Sequence, residues 1–273
     1  MSLTQTEVPP AATLPRALGE TPAPARPDRV DRGTRLTICP RRMARILSGL
    51  VLLLAVTGTI ANYVIYNVAP HPEDKLARLM RRFDLGHEPS LPGWYSSIAL
   101  LACSALLAVI ARHALRARSR DVAAWAGLAV VFLLLAMDEA LMFHEMLSNT
   151  LQAWLNSSGV LYFAWVLPGA TFVLLVAALC ARFLVRLERR TRLLFIISGV
   201  VFVSGAIGME LAAGVVVESW GVESLAHTAI QTCEESLEMF GVVMFLYALL
   251  DWMGRNIGPF QIHVEASSAT PDQ

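Results

Sequence analysis

Seven carboxylates lie within stretches that are otherwise apolar: Asp138, Glu139 and Glu145 in one, Glu210 in a second, and Glu234, Glu235 and Glu238 in a third. If charged, central and unpaired, each would cost about 2.5–3.5 kcal/mol in a bilayer, or on the order of 20 kcal/mol together. No Lys or Arg occurs between Arg120 and Arg182 or between Arg192 and Arg255. The partners left are protons, metal ions, and the nearby His144 and His227. Carboxylates mixed with imidazole inside a helical bundle are how di-iron and di-manganese proteins hold metal. The expected metal ligands are therefore Asp138, His144, Glu145, Glu210, His227, Glu234 and Glu238. The expected ion is divalent Fe, Mn or Zn, which buried histidines favour over Ca²⁺ or Mg²⁺. Glu139 and Glu235 flank this set as candidate catalytic acid–base residues. The Glu-x-x-His pairs usual in di-metal bundles are absent from the acidic stretches, so the match rests on composition and depth.

Spacing sharpens the set. His227, Gln231, Glu234 and Glu238 follow one another at steps of 4, 3 and 4, which puts them on one helical face with Glu235 near its edge. Asp138 and Glu145 are seven apart and align, with Met142 between them. In a straight helix Glu139 and His144 point to the flanks of that stripe, as second-shell or alternative ligands. At about 1.5 Å per residue, Asp138, Glu210 and Glu234 fall at a similar level, in the outer half of the membrane.

The elements that must position these residues are six transmembrane helices, expected over 46–68, 94–115, 122–147, 160–183, 193–217 and 227–252. Of the 273 residues, 55% are hydrophobic and only 16% charged, well below the roughly 25% charged residues of soluble domains. That excludes a soluble or nucleic-acid-binding protein and leaves an all-α polytopic bundle. Residues 1–44 read as a disordered cytoplasmic tail, 45–253 as the transmembrane domain, and 254–273 as a cytoplasmic C-terminal tail. Arg41, Arg42 and Arg45, the 112–120 loop and the 182–192 loop concentrate positive charge, which places both termini in the cytoplasm. The segment 73–85 dissents, with Lys75, Arg78, Arg81 and Arg82 outside. Its Leu76, Leu79, Met80 and Phe83 recur at helical spacing, as expected of an amphipathic helix on the outer surface. Trp94, Tyr95, Trp154, Tyr162, Trp165 and Trp220 read as an interfacial aromatic belt. The four cysteines are scattered singly, so no disulfide framework is expected.

The segments PGWYSSIALL (92–101), LAMDEALMFHE (135–145), SGAIGMELAAG (204–214) and EESLEMFG (234–241) resemble a family of uncharacterised bacterial multi-spanning membrane proteins. That family repeats P-x-W-Y-S-S, L-D-E-x4-H-E, G-A-x-G-x-E and E-E-x-L-E-M-x-G in this order. The resemblance implies that Asp138, Glu139, His144, Glu145, Glu210, Glu234, Glu235 and Glu238 form one constellation. It also implies the bacterial inner membrane as location, and brings no activity with it.

Three functions fit. The first is a metal-dependent membrane enzyme, an oxidoreductase or hydrolase, acting on a lipid or other apolar substrate. The second is a proton- or cation-coupled transporter, and the third a structural or assembly protein whose acids join helices. The inner halves of the third, fifth and sixth spans hold almost no polar residue, which favours a site with one-sided access over a through-path.

Overall fold

The computed structural model describes residues 35–37, 39–69, 71, 73–87, 89–258 and 261–263. Residues 1–34 and 264–273, most of the expected tails, lie outside the described residues. Among the described residues, six helical segments are long and apolar enough to cross a membrane: Pro40–Asn67, Leu91–Arg116, Val122–Leu141, Val166–Arg186, Arg189–Trp220 and Leu225–Asn256. Their outward faces are unusually apolar. Leu53, Val56, Leu174 and Leu179 are 57%, 57%, 70% and 73% exposed, an arrangement suited to lipid rather than to water. The chain is an all-α integral membrane bundle. Outside it, two three-residue strands, Arg35–Thr37 and Gln261–His263, pair with each other.

Local sequence explains most helix ends. α1 (Pro40–Asn67) starts on a proline, whose missing N–H would be unpaired there in any case. α2 is the short Lys75–Met80. α3 (Leu91–Arg116) is capped by Ser90, whose hydroxyl accepts from the Gly93 N–H at 3.2 Å. After α4 (Val122–Leu141) and α5 (Phe143–Leu155) comes a 3₁₀ turn, Gly159–Leu161, and then α6 (Val166–Arg186). The fifth span is α7 (Arg189–Val203), a π-helical segment (Ser204–Met209) and α8 (Glu210–Trp220). α9 (Leu225–Asn256) begins at Ser224, whose hydroxyl accepts from the His227 N–H at 3.2 Å.

α9 is the axis of the bundle, packed against α1, α3, α7, the π segment and α8. Close approach there depends on glycine. A methyl at Gly241 would lie 2.7 Å from the Phe202 backbone nitrogen, and one at Gly205 would lie 2.8 Å from the Glu234 carbonyl oxygen. On one side of the acidic level the core is aromatic. Trp125 meets Phe183 edge-on at 4.8 Å, and Phe245 stacks on Phe132 at 4.4 Å. Leu107, Ile110 and Leu249 fill the space around them and are fully buried.

Two expectations need correction. The third span does not run straight to Leu147. It stops at Leu141, and Met142 takes a left-handed conformation (φ 55°, ψ 39°) from which α5 sets off. The amphipathic helix over 73–85 is helical only at Lys75–Met80. The chain then turns inward, burying Leu85 against Gly58 in α1. Leu76 and Leu79 remain 44% and 55% exposed.

Candidate functional site: a carboxylate and histidine cavity

The break at Met142 creates the first half of the site. Asp138, one turn before it, accepts the backbone N–H of His144 on Oδ1 at 3.0 Å, and its Oδ2 lies 2.9 Å from His144 Nδ1. One carboxylate thus caps the new helix and fixes the imidazole. The straight-helix expectation, with His144 on a flank away from Asp138, is overturned by this bend. His144 lies beyond the end of the span. Burial opposes its positive charge, but the bonded Asp138 carboxylate, with Glu139 and Glu238 nearby, outweighs burial and holds its pKa up to about 9.

The π segment creates the second half. A π turn widens a helix and is often found at functional sites. Here it ends at Glu210. The Glu210 and Glu234 carboxyls come close to each other across the α8–α9 contact. Glu210 also accepts the Trp165 indole N–H on Oε1 at 3.2 Å. Two carboxyls in such contact need a proton or a cation between them. Glu238, one turn deeper on α9, packs its Cγ against Gly205.

His227 completes the arrangement from the outer turn of α9. Its Nδ1 lies 2.9 Å from the Val222 carbonyl oxygen. That oxygen can only accept, so Nδ1 carries a proton, and in the neutral ring Nε2 is the nitrogen with the lone pair. His227 is only 6% exposed, and Nε2 is buried with no hydrogen-bond partner. Phe163 stacks near the ring at 6.2 Å.

These groups surround one cavity of about 310 Å³. Glu139, His144, Glu145, Glu210, His227, Glu234 and Glu235 all line it, whereas Asp138 and Glu238 do not. Of the three acids expected at one depth, Glu210 and Glu234 line this cavity and Asp138 stands behind His144. The seven expected metal ligands, however, are not drawn into one coordination sphere. Among the described residues, no group of three or more His, Cys, Asp or Glu is placed to hold a metal ion as it stands. The four cysteines are free, with Cys103 buried and Cys233 exposed.

Sequence reasoning missed several wall residues. Ser148, Asn149 and Gln152 line the cavity from α5. Their signal was present, because His144, Ser148 and Gln152 follow at steps of four. Leu85 and Gly86 arrive from the inward-turning loop, and a methyl at Gly86 would fall 2.4 Å from Gln231 Oε1. Trp165, expected in the aromatic belt, instead donates to Glu210 and lies 5.2 Å from the His144 ring. Trp94, Trp154 and Trp220 are 68%, 84% and 69% exposed.

Residues 46–252, which hold all of these groups, match the family described as Domain of unknown function (DUF8692). No curated protein and no solved structure matches the chain.

Proposed function

The chain belongs to the DUF8692 family, and we propose that its cavity binds a hydrated divalent metal ion and serves chemistry on a membrane-soluble substrate. His227 carries this reading. A buried ring nitrogen without a partner costs about 1–3 kcal/mol, and anchoring the opposite nitrogen on a carbonyl is how metal-bound histidines are oriented. His144 repeats the pattern, with the Asp138 carboxylate in place of the carbonyl. Asp138 then acts by orienting His144 rather than as a ligand. Glu210 and Glu234 supply oxygen donors, and the mixed nitrogen and oxygen set suits Fe, Mn or Zn.

Because the donors are spread, such an ion keeps several of its waters in the cavity of about 310 Å³. An incompletely ligated metal is the habit of catalytic rather than structural sites. When bound, the ion activates water or polarises a substrate oxygen. Glu139 and Glu235, on the cavity wall, would take up and return the proton.

A proton-coupled role is the second reading, supported by the close approach of the Glu210 and Glu234 carboxyls, since a shared proton can replace a cation there. The aromatic core around Trp125, Phe195 and Phe245 argues against a through-path. Elemental analysis of detergent-purified protein separates the two. Wild type should carry Fe, Mn or Zn, His227→Ala should lose most of it, and Glu234→Gln should retain less. A metal-free wild type contradicts the metal reading and leaves the carboxyl pair as a proton site.

A further inference from the structure

Toward the end of the bundle away from the carboxylate cavity, α1, α7 and α9 enclose a pocket of about 600 Å³. Arg41, Arg45 and Ser48 of α1 line it, together with Tyr247 of α9. Among the described residues neither Arg41 nor Arg45 has an ion-pair partner, whereas Arg186, Arg190 and Arg255 at the same end all do. Arg190 and Arg255 are matched by Asp251 and Glu188, so the surplus positive charge is that of the two α1 arginines. Nε of Arg45 donates to the Arg41 carbonyl oxygen at 3.4 Å, which draws its side chain toward the start of the helix. Arg190 donates to the Tyr247 hydroxyl at 3.1 Å, leaving that hydroxyl its own proton to give.

The pocket is also graded along the membrane normal. Val51 packs with Met239 and Val243. Six residues from that contact, α1 reaches Arg45 and α9 reaches Tyr247. Asp251, one turn beyond Tyr247, holds Arg190 and Arg255 and marks where the apolar span gives way to charge. In the other direction the wall is formed by Leu194, Val243 and Met244. Val243 lies one turn, about 6 Å, nearer the bilayer centre than Tyr247. A basic end at the surface and an apolar end toward the hydrocarbon fit an amphiphile better than a free ion.

We propose that this pocket binds an anionic phospholipid, its phosphate held by Arg41, Arg45 and Tyr247 and the start of its acyl chains lying on Leu194, Val243 and Met244. Basic pockets between spans recognise acidic head groups, and guanidinium suits phosphate through paired N–H donors. The site is independent of the carboxylate cavity and of any metal there.

The test uses the full-length protein in nanodiscs holding equal amounts of phosphatidylcholine and phosphatidylglycerol with the same acyl chains. Native mass spectrometry should show wild type retaining phosphatidylglycerol in preference. Arg41→Gln combined with Arg45→Gln should lower that preference about 30-fold, at about 1 kcal/mol for each arginine. Arg118→Gln combined with Arg120→Gln removes two basic residues that lie outside the pocket, and should leave the preference unchanged. Ser48→Trp keeps every charge but fills the pocket, and should lose the adduct. Excess inorganic phosphate should not displace the lipid. No preference in wild type, an undiminished adduct in either pocket variant, or an equal loss in the Arg118 and Arg120 variant overturns the proposal. Displacement by inorganic phosphate overturns the lipid assignment and makes the pocket a site for the free anion.

Discussion

Asp138 holds His144 twice, through the backbone N–H at 3.0 Å and through ring Nδ1 at 2.9 Å. The same carboxylate therefore starts α5 and aims the imidazole. Removing it in Asp138→Ala should cost the helix its cap, about 0.5–2 kcal/mol, read as a lower midpoint in detergent unfolding. An unchanged midpoint would contradict the capping role.

The pair also has a pH signature in metal-free protein. His144 titrates near 9, above the ordinary value of about 6.5, so the folded state binds its proton more tightly than the unfolded chain does. The stabilisation is fully present below the unfolded value and is lost as pH rises through about 9. Asp138→Asn keeps a cap but removes the charge. It should shift the His144 ring titration downward, as seen by NMR of histidine-labelled protein, and flatten the fall in stability. A titration that stays in place would show that Asp138 is not what holds the proton.

Helix approach at α9 gives a prediction independent of function. A methyl at Gly241 meets backbone at 2.7 Å, which a rotamer change cannot relieve. Gly241→Ala should lose about 1–3 kcal/mol, the usual cost of overpacking. Gly127→Ala, with nothing within 4 Å, should be neutral or gain up to about 1 kcal/mol from helix propensity. Equal behaviour of the two would mean that α7 and α9 are not in close contact there.

Trp165→Phe keeps an aromatic ring but removes the N–H that Glu210 accepts at 3.2 Å. If Glu210 is oriented by that bond, metal affinity should fall about 10–100-fold, the usual effect of losing an outer hydrogen bond. A cobalt titration reads it, and an unaltered affinity would remove Trp165 from the site.

The six spans were legible because each is a long apolar run, and the acids were legible because apolar surroundings make a carboxylate conspicuous. What was lost was geometry set by contacts distant from the helix period. No glycine or proline marks Met142, whose left-handed backbone costs about 1–2 kcal/mol. Asp138 offsets that cost only once the chain has bent. Nothing in the spacing of Gly205 and Gly208 announces the π turn at Ser204–Met209. Trp165 looked like an interfacial residue because its partner, Glu210, lies 45 positions away. Leu85 falls outside the helical spacing of Leu76, Leu79, Met80 and Phe83, and the glycine that receives it, Gly58, sits in another helix.

The central claim is that the buried Nε2 of His227 is a metal donor. X-ray absorption on the cobalt-loaded protein tests it most directly, because imidazole leaves a characteristic outer-shell signal. Wild type should show a nitrogen and oxygen shell with imidazole scattering, and His227→Ala should show that scattering reduced. Undiminished imidazole scattering in His227→Ala, or a wild type that takes up no cobalt, would contradict it.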